Sequence, residues 1–356
     1  MNLLGIGMVF SGGRGIDRYE DALRQGWQRP GEYDIPRIQK RLPVFAVNDG
    51  DIADKVLLKK MRRADKFSKM AVVAASDALH DSGVENAKNR TGIILSTAFG
   101  AHQTTFDFLD DIIDYGEVGV SPTVFSNSVH NAAVSYIASA LDITGPTLTV
   151  TRFSFSFQSA LQLAQMWLLD QSCDSVLVGA ADQCGEVMRY IFDRKLGTAP
   201  DGKVRPFHFS PSSPPVPGEG SVFFLVSAKA SENAYCKIDG IDFSAEPRRE
   251  EASGIDLIDS DGTLDGAAYL KAFSPGTPVA AYSPLFGSIM TGSAFHCAAG
   301  ALMLKKQTRY ANPVLENPHG VYLLDRSGPA RIDLIRSIGY NCLAESAVIC
   351  LRKSRS

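Results

Sequence analysis

Apolar and polar positions along the chain change period several times, and each change marks an element. Leu3 to Phe10 is a near-continuous apolar run of strand length, and Ser11-Gly12-Gly13 turns it into a helix around Ile16 to Gln25. Residues 26 to 60 carry several prolines and charges without a sustained period, and read as an irregular surface excursion. From Arg62 to Ser82 the positions Phe67, Met70, Ala71, Val73, Ala74, Ala78 and Leu79 form the stripe of an amphipathic helix. Thr91 to Leu95 reads as a buried strand. His102 to Tyr115 reads as a helix with an apolar side at Phe106, Leu109, Ile112 and Ile113. Asp174 to Asp182, Ser221 to Ser227 and Lys237 to Ile241 add further strands.

The chain is organised around residues 145–161, GPTLTVTRFSFSFQSAL. Thr147 to Thr151 alternate small, β-branched and apolar residues, as a core strand does. A sharp bend follows at Ser154, and a helix runs on through Leu168. Such a bend exposes one side chain, while the helix N-terminus offers N–H groups and positive potential to an anion. A serine there needs an adjacent base, whereas a thiol would be partly ionised by itself. The residues leave three readings open: a weak or alternative nucleophile, a dead site plugged by Phe153, Phe155 and Phe157, or a plain core strand and helix.

Composition narrows the class. The chain has 356 residues, 45% of them apolar, enough for one large domain or two packed halves. A net charge of −3 argues against broad nucleic-acid binding. Six scattered cysteines form no CxxC or Cys/His cluster, so they read as buried thiols in a reducing, cytoplasmic setting, with no metal site. The opening MNLLGIGMVF reads as a first strand, not a signal peptide, and no apolar run approaches the ~18 residues of a membrane span.

Gly145-Pro146, the small β-rich run, the bend and the helix resemble the active-site segment of β-ketoacyl synthases. Arg63-Ala64-Asp65-Lys66-Phe67-Ser68 is similar to that family's Arg-x-Asp-x-Phe-Ser signature. Ser121 to Ala133 resembles its Ser-Pro-x-x-Phe-Pro-Asn-x-x-x-Asn-Ala-Ala segment, and Arg205-Pro206-Phe207 and Gly218-Glu219-Gly220 resemble two more of its landmarks. The resemblance covers nearly the whole chain. It implies an α/β, thiolase-like five-layer αβαβα fold of two pseudo-symmetric halves, residues 1–230 and a shortened 231–356, with too little chain between Ile241 and Asp261 for the usual helix.

The catalytic positions of that family are altered. Counting from Gly145-Pro146, Ser154 stands at the nucleophilic cysteine. Asp261 stands at the first histidine, within Ser260-Asp261-Gly262-Thr263. Ser288 stands at the lysine and Ser293 at the second histidine, with His296 three residues on. Gly339-Tyr340-Asn341-Cys342 stands where the family has a glycine-rich gating loop, here carrying Tyr340 and Asn341, and Asn341 and Cys342 in place of glycines should stiffen it. No catalytic residue or cofactor is expected. The pattern looks like a chain length factor, or ketosynthase β: the inactive partner that pairs with a catalytic ketosynthase in bacterial type II polyketide synthases. It would shape the tunnel at the heterodimer interface while the chain grows on an acyl carrier protein. The short chain suggests the branch that makes aryl polyenes or anthraquinones. The family's tunnel positions carry over to His102, Thr105, Leu109 and Ser126, three of them on one helix face. Two alternatives remain: a serine-dependent acyltransferase or thioesterase acting through Ser154, and a homodimeric acyl-binding module.

Overall fold

The computed structural model describes residues 1–57, 59–84, 90–244 and 254–354. The first part of the chain forms β1 (Asn2–Phe10), β2 (Gly13–Arg14), α1 (Ile16–Gln25), β3 (Gly31–Ile35), β4 (Lys40–Val44) and α2 (Lys66–Asp81). Next come β5 (Thr91–Thr97), α3 (His102–Tyr115), α4 (Pro122–Ser128), α5 (Ala132–Leu141), β6 (Thr147–Thr151) and α6 (Ser156–Leu169). They are followed by β7 (Ser175–Asp182), α7 (Glu186–Ile191), β8 (Gly220–Ser227), β9 (Cys236–Ser244), β10 (Gly254–Asp259) and α8 (Ala267–Ala272). The last elements are β11 (Val279–Ala280), α9 (Gly292–Lys306), β12 (Thr308–Arg309), β13 (Gly328–Pro329), β14 (Leu334–Tyr340) and β15 (Ser346–Arg352).

One topology occurs twice. Across the main sheet the order is β11-β10-β14-β15-β9-β1-β8-β7-β5-β6. Within β1, β5, β6, β7 and β8 the spatial order is third, second, fourth, fifth, first, and the same holds for β9, β10, β11, β14 and β15. In each set the third, second and fourth strands are parallel and the fifth runs antiparallel to both neighbours. The two sets join where Asn2 and Leu3 pair with Lys237 and Cys236. In both, the third strand feeds a helix: β6 leads to α6 and β11 leads to α9.

Those two helices form the middle layer. α6 touches β5 and β7 of one set and β9 and β15 of the other, and α9 touches β8 as well as β10 and β14. α9 is buried continuously from Gly292 to Leu304, which explains why its sequence is apolar or small on every side. α2 and α5 cover the outer face of the first set. Over the second set the described outer helix is α8, whose Tyr269 and Ala272 pack on Ile258, Ile338 and Val348. Residues 245–253, where a shortened connection was expected, lie outside the described residues.

Two expectations are corrected. The excursion over 26–60 contains the antiparallel hairpin β3–β4, whose Ile35, Leu42 and Val44 pack on Cys184, Met188 and Phe192. Its charged, Pro-bearing sequence hides the pairing, because only one face is apolar. And β6 is not a core strand: among the described residues it pairs with β5 alone, three of its five residues are exposed and none is buried. Alternation identifies a strand but cannot say whether its second edge is covered.

Candidate functional site

The bend at 152–155 joins edge strand β6 to central helix α6. Phe155 takes the left-handed conformation at the helix start (φ 57°, ψ 31°), where a bulky residue costs roughly 1–2 kcal/mol. The three phenylalanines go three ways. Phe153 is 65% exposed and packs on Phe99 at 5.4 Å. Phe155 stands in the wall of a pocket and meets Phe243 edge-on at 6.2 Å. Phe157 belongs to neither pocket nor surface. It is fully buried against Phe224 at 5.5 Å, because the second residue of α6 points into the middle layer. Phe157 therefore takes no part in a plug, while Phe153 and Phe155 line, together with Ser154, a cavity of about 300 Å³.

That cavity has an acidic floor. Asp259, at the end of β10, and Asp261 both line it. Burial, and secondarily the Asp261 carboxylate, push the Asp259 carboxyl up to about 7, against a hydrogen bond from the Ser293 N–H. Asp261 is turned toward its own loop, its Oδ1 accepting from the Thr263 N–H at 3.0 Å and Thr263 Oγ1 at 2.6 Å. Ser154 Oγ has no hydrogen-bond partner among the described residues. Among the described residues the imidazole beside the acid pair is His296, whose Nδ1 lies 3.7 Å from Asp259 Oδ1 while both ring nitrogens face backbone groups. His296 Nε2 accepts from the Tyr282 N–H at 2.9 Å, and Nδ1 faces the Gly292 carbonyl at 3.0 Å. Complete burial pushes its pKa down to about 4, so the ring is neutral. Ser293 Oγ reaches Gln158 Oε1 at 3.4 Å, linking α9 to α6, and Ser288 Oγ accepts from the Val216 N–H at 3.3 Å.

The loop after β14 is stitched closed. Asn341 Oδ1 accepts from the N–H groups of Leu343 and Glu345, both at 3.0 Å, and Tyr340 meets Tyr269 edge-on at 4.7 Å. Of the thiols expected to be buried, Cys342 is exposed at the pocket edge and Cys350 is half-buried.

Beside the bend lies a broad uncovered face. Phe106, Leu109, Ile112 and Ile113 of α3, Phe125 of α4 and Leu148 of β6 are all exposed, although the α3 stripe reads as core-facing in sequence. His102 begins α3 and is buried beside Phe99, with both ring nitrogens outside ordinary hydrogen-bond geometry. Burial pushes its pKa down, the nearby Gly100 carbonyl opposing. Thr105 Oγ1 is satisfied by the Ala101 and Ser128 carbonyls, and Ser126 is exposed with its hydroxyl on the Thr123 carbonyl. Thus His102, Thr105 and Leu109 share one face, while Ser126 sits on α4.

Residues 2–231 match the family model of the beta-ketoacyl synthase N-terminal domain. The chain belongs to the β-ketoacyl synthase family. A putative polyketide beta-ketoacyl synthase 1 of Streptomyces halstedii is 25% identical over 265 residues, covering 66% of this chain and 61% of that relative. The match thus spans about three-fifths of the relative's length. Among solved structures, the ishigamide ketosynthase/chain length factor aligns with a TM-score of 0.80 at 18% identity, over 99% of each chain. A beta-ketoacyl synthase from Burkholderia phymatum STM815 gives 0.81 at 16% identity, again over 99% of both chains. A type II polyketide synthase acyl carrier protein in complex with its ketosynthase bound to the hexaketide gives 0.80 at 14%, with 99% of both chains covered. The fold is the thiolase-like ketosynthase fold.

The ketosynthase landmarks have structural reasons. Asp65 caps α2 by accepting from the Ser68 N–H at 2.8 Å, and its second oxygen takes the Thr104 hydroxyl at 2.7 Å, tying α2 to α3. Glu219 is buried and accepts from the N–H groups of Val47 at 2.9 Å and Cys184 at 3.0 Å, while Lys66 pairs with it. Arg205 reaches Glu316 at 2.7 Å. The sequence reading missed Asp259. The available signal was a second acid two residues before Asp261, at the end of an apolar run.

Proposed function

We propose that this ketosynthase-family chain is a non-catalytic chain length factor. It would pair with a catalytic ketosynthase and shape the tunnel of a type II polyketide synthase during elongation on acyl carrier protein, in the cytoplasm. The carrying observation is the combination of Ser154 with no base hydrogen-bonded to its hydroxyl, and an acid where an imidazole would serve, beside an edge strand and an apolar helix face left open for a partner. An open edge next to apolar side chains is what sheet-extending association needs. His102, Thr105, Leu109 and Phe153 border that face and are proposed to line the tunnel.

The acyl carrier protein would be met by a basic segment. Lys55, Lys59, Arg62 and Arg63 are exposed near the start of α2 and have no ion-pair partner among the described residues. On a chain of net charge −3 this gathers positive charge in one place. The test is incubation of the purified chain with radiolabelled malonyl- and acyl-loaded carrier protein. No label should transfer to the chain alone, and elongation should appear once an intact ketosynthase is added. A stable acyl adduct on Ser154 refutes the reading. A second reading, acyl transfer through Ser154, draws on the open pocket and the Asp259 carboxyl near neutrality. Ser154→Ala abolishes activity on that reading and leaves the first untouched.

A further inference from the structure

We propose that Phe99 is a chain-length-determining residue and that Asp182 is the positioning residue that holds it in place. The inference rests on the tunnel-shaping reading and adds two residues to it. β5 ends at Thr97, and the turn 97–100 runs beside the bend into α3. Asp182, the last residue of β7 and 4% exposed, gathers that turn on one carboxylate oxygen. Its Oδ1 accepts from Thr97 Oγ1 at 2.8 Å, from the Ala98 N–H at 2.9 Å and from the Phe99 N–H at 3.3 Å. Thr97 Oγ1 in turn accepts from the Gly100 N–H at 2.8 Å, and the Arg152 N–H donates to the Thr97 carbonyl at 3.1 Å. The start of the bend and the start of α3 are thereby fixed to the same four residues.

A turn held at that many points gives its side chain one position. The Phe99 ring lies 5.4 Å from the Phe153 ring and 6.1 Å from the His102 ring. Phe153 stands at the pocket and His102 opens the α3 face that Thr105 and Leu109 continue. Phe99 closes the gap between them, so Phe153, Phe99 and His102 make one continuous wall. Asp182 has hydrogen bonds and no cationic partner among the described residues. Burial pushes its carboxyl up to about 6 despite the donors. Keeping a carboxylate in such a place is explained by what it positions.

The test uses the complex of this chain with a co-expressed catalytic ketosynthase, supplied with malonyl-loaded acyl carrier protein, and reads product length by mass spectrometry. Phe99→Ala shifts the products upward by one or more extension units. Asp182→Ala and Thr97→Val broaden the distribution in the same direction. Asp182→Asn, whose amide oxygen still accepts from Thr97 and Ala98, restores the wild-type length. If Asp182→Ala does not fold, Thr97→Val and Asp182→Asn carry the comparison. Unchanged length from Phe99→Ala, with altered length from His102→Ala or Leu109→Ala, overturns this inference and leaves the tunnel reading standing. Unchanged length from all three in an active complex overturns the tunnel reading itself. Wild-type length from both Asp182→Ala and Thr97→Val, with Phe99→Ala shifted, removes Asp182 from the account.

Discussion

Asp259→Asn should stabilise the folded chain at alkaline pH and leave it nearly unchanged at pH 4. In the folded state the Asp259 carboxyl is pushed up to about 7, by burial first and by the neighbouring Asp261 second. An aspartate in an unfolded chain titrates near ~3.9. Below that value both states hold the proton and the site costs nothing. Between about 4 and 7 the unfolded chain has released its proton and the folded chain has kept it, so stability falls by roughly 1.4 kcal/mol per pH unit. Above about 7 the loss is complete. The shift corresponds to ~4 kcal/mol, and because 26% of the side chain is open to the pocket we take about 2–4 kcal/mol. Asparagine drops the charge and keeps an oxygen for the Ser293 N–H. Urea unfolding of both proteins at pH 5 and pH 8 is the assay, with the slope checked for constancy. The variant should lead by about 1 kcal/mol at pH 5 and by two to three times as much at pH 8. A variant whose lead does not grow with pH refutes the reasoning.

Two further outcomes follow from the same geometry. Between β5 and β6 the Ile93 N–H reaches the Pro146 carbonyl and the Arg152 N–H reaches the Thr97 carbonyl, so the even-numbered residues of β6 donate inward and the Thr149 N–H points to the open edge. Thr149→Pro removes that outward donor without touching the β5 ladder. It should fold normally by far-UV circular dichroism yet fail to co-purify with a ketosynthase, and an intact complex would count against β6 as the partner edge. Glu219→Ala strands Lys66 and two buried N–H groups, and should cost ~3–5 kcal/mol in urea unfolding, with Glu219→Gln costing clearly less. A loss below ~1 kcal/mol would show that the landmark glutamate is not structural.

The sequence was most legible where local chemistry decides the outcome. α1 and α3 begin and end where expected because Gly15, Gly26 and Gly116 adopt positive φ at their ends. The α2 start falls later than the periodicity suggests because Asp65 caps it. What depends on the other side of an element was not legible. The apolar stripe of α3 is genuine, yet this chain does not cover it. Phe157 stands with its neighbours at the bend in sequence, whereas one step along the helix turns it into the core. His296 lies close to the expected catalytic stretch, and only the Tyr282 N–H and Gly292 carbonyl show that its ring is structural.

The acid pair bears directly on how well this pocket could serve a decarboxylating reaction. The repeated topology sends two helix N-termini, of α6 and α9, toward one pocket, and Ser154 and Ser293 stand at the bend and at the first turn. A decarboxylating site must tolerate the substrate's carboxylate and then stabilise an enolate. Here either anion would face the Asp259 and Asp261 carboxylates, with His296 neutral and occupied. Two like charges at ~4 Å repel by roughly 4 kcal/mol at an effective dielectric constant of ~20, an upper bound here because the Asp259 carboxyl, pushed up to about 7, takes up a proton as an anion approaches. The β6 edge and the α3 face, which the acid pair does not touch, keep the geometry that association requires. That separation favours a partner over a slow enzyme. An enzyme through Ser154 would still have to bring its acyl group into the same acidic pocket, where it would gain from Asp259 only as a base and lose whenever negative charge developed on the oxygen.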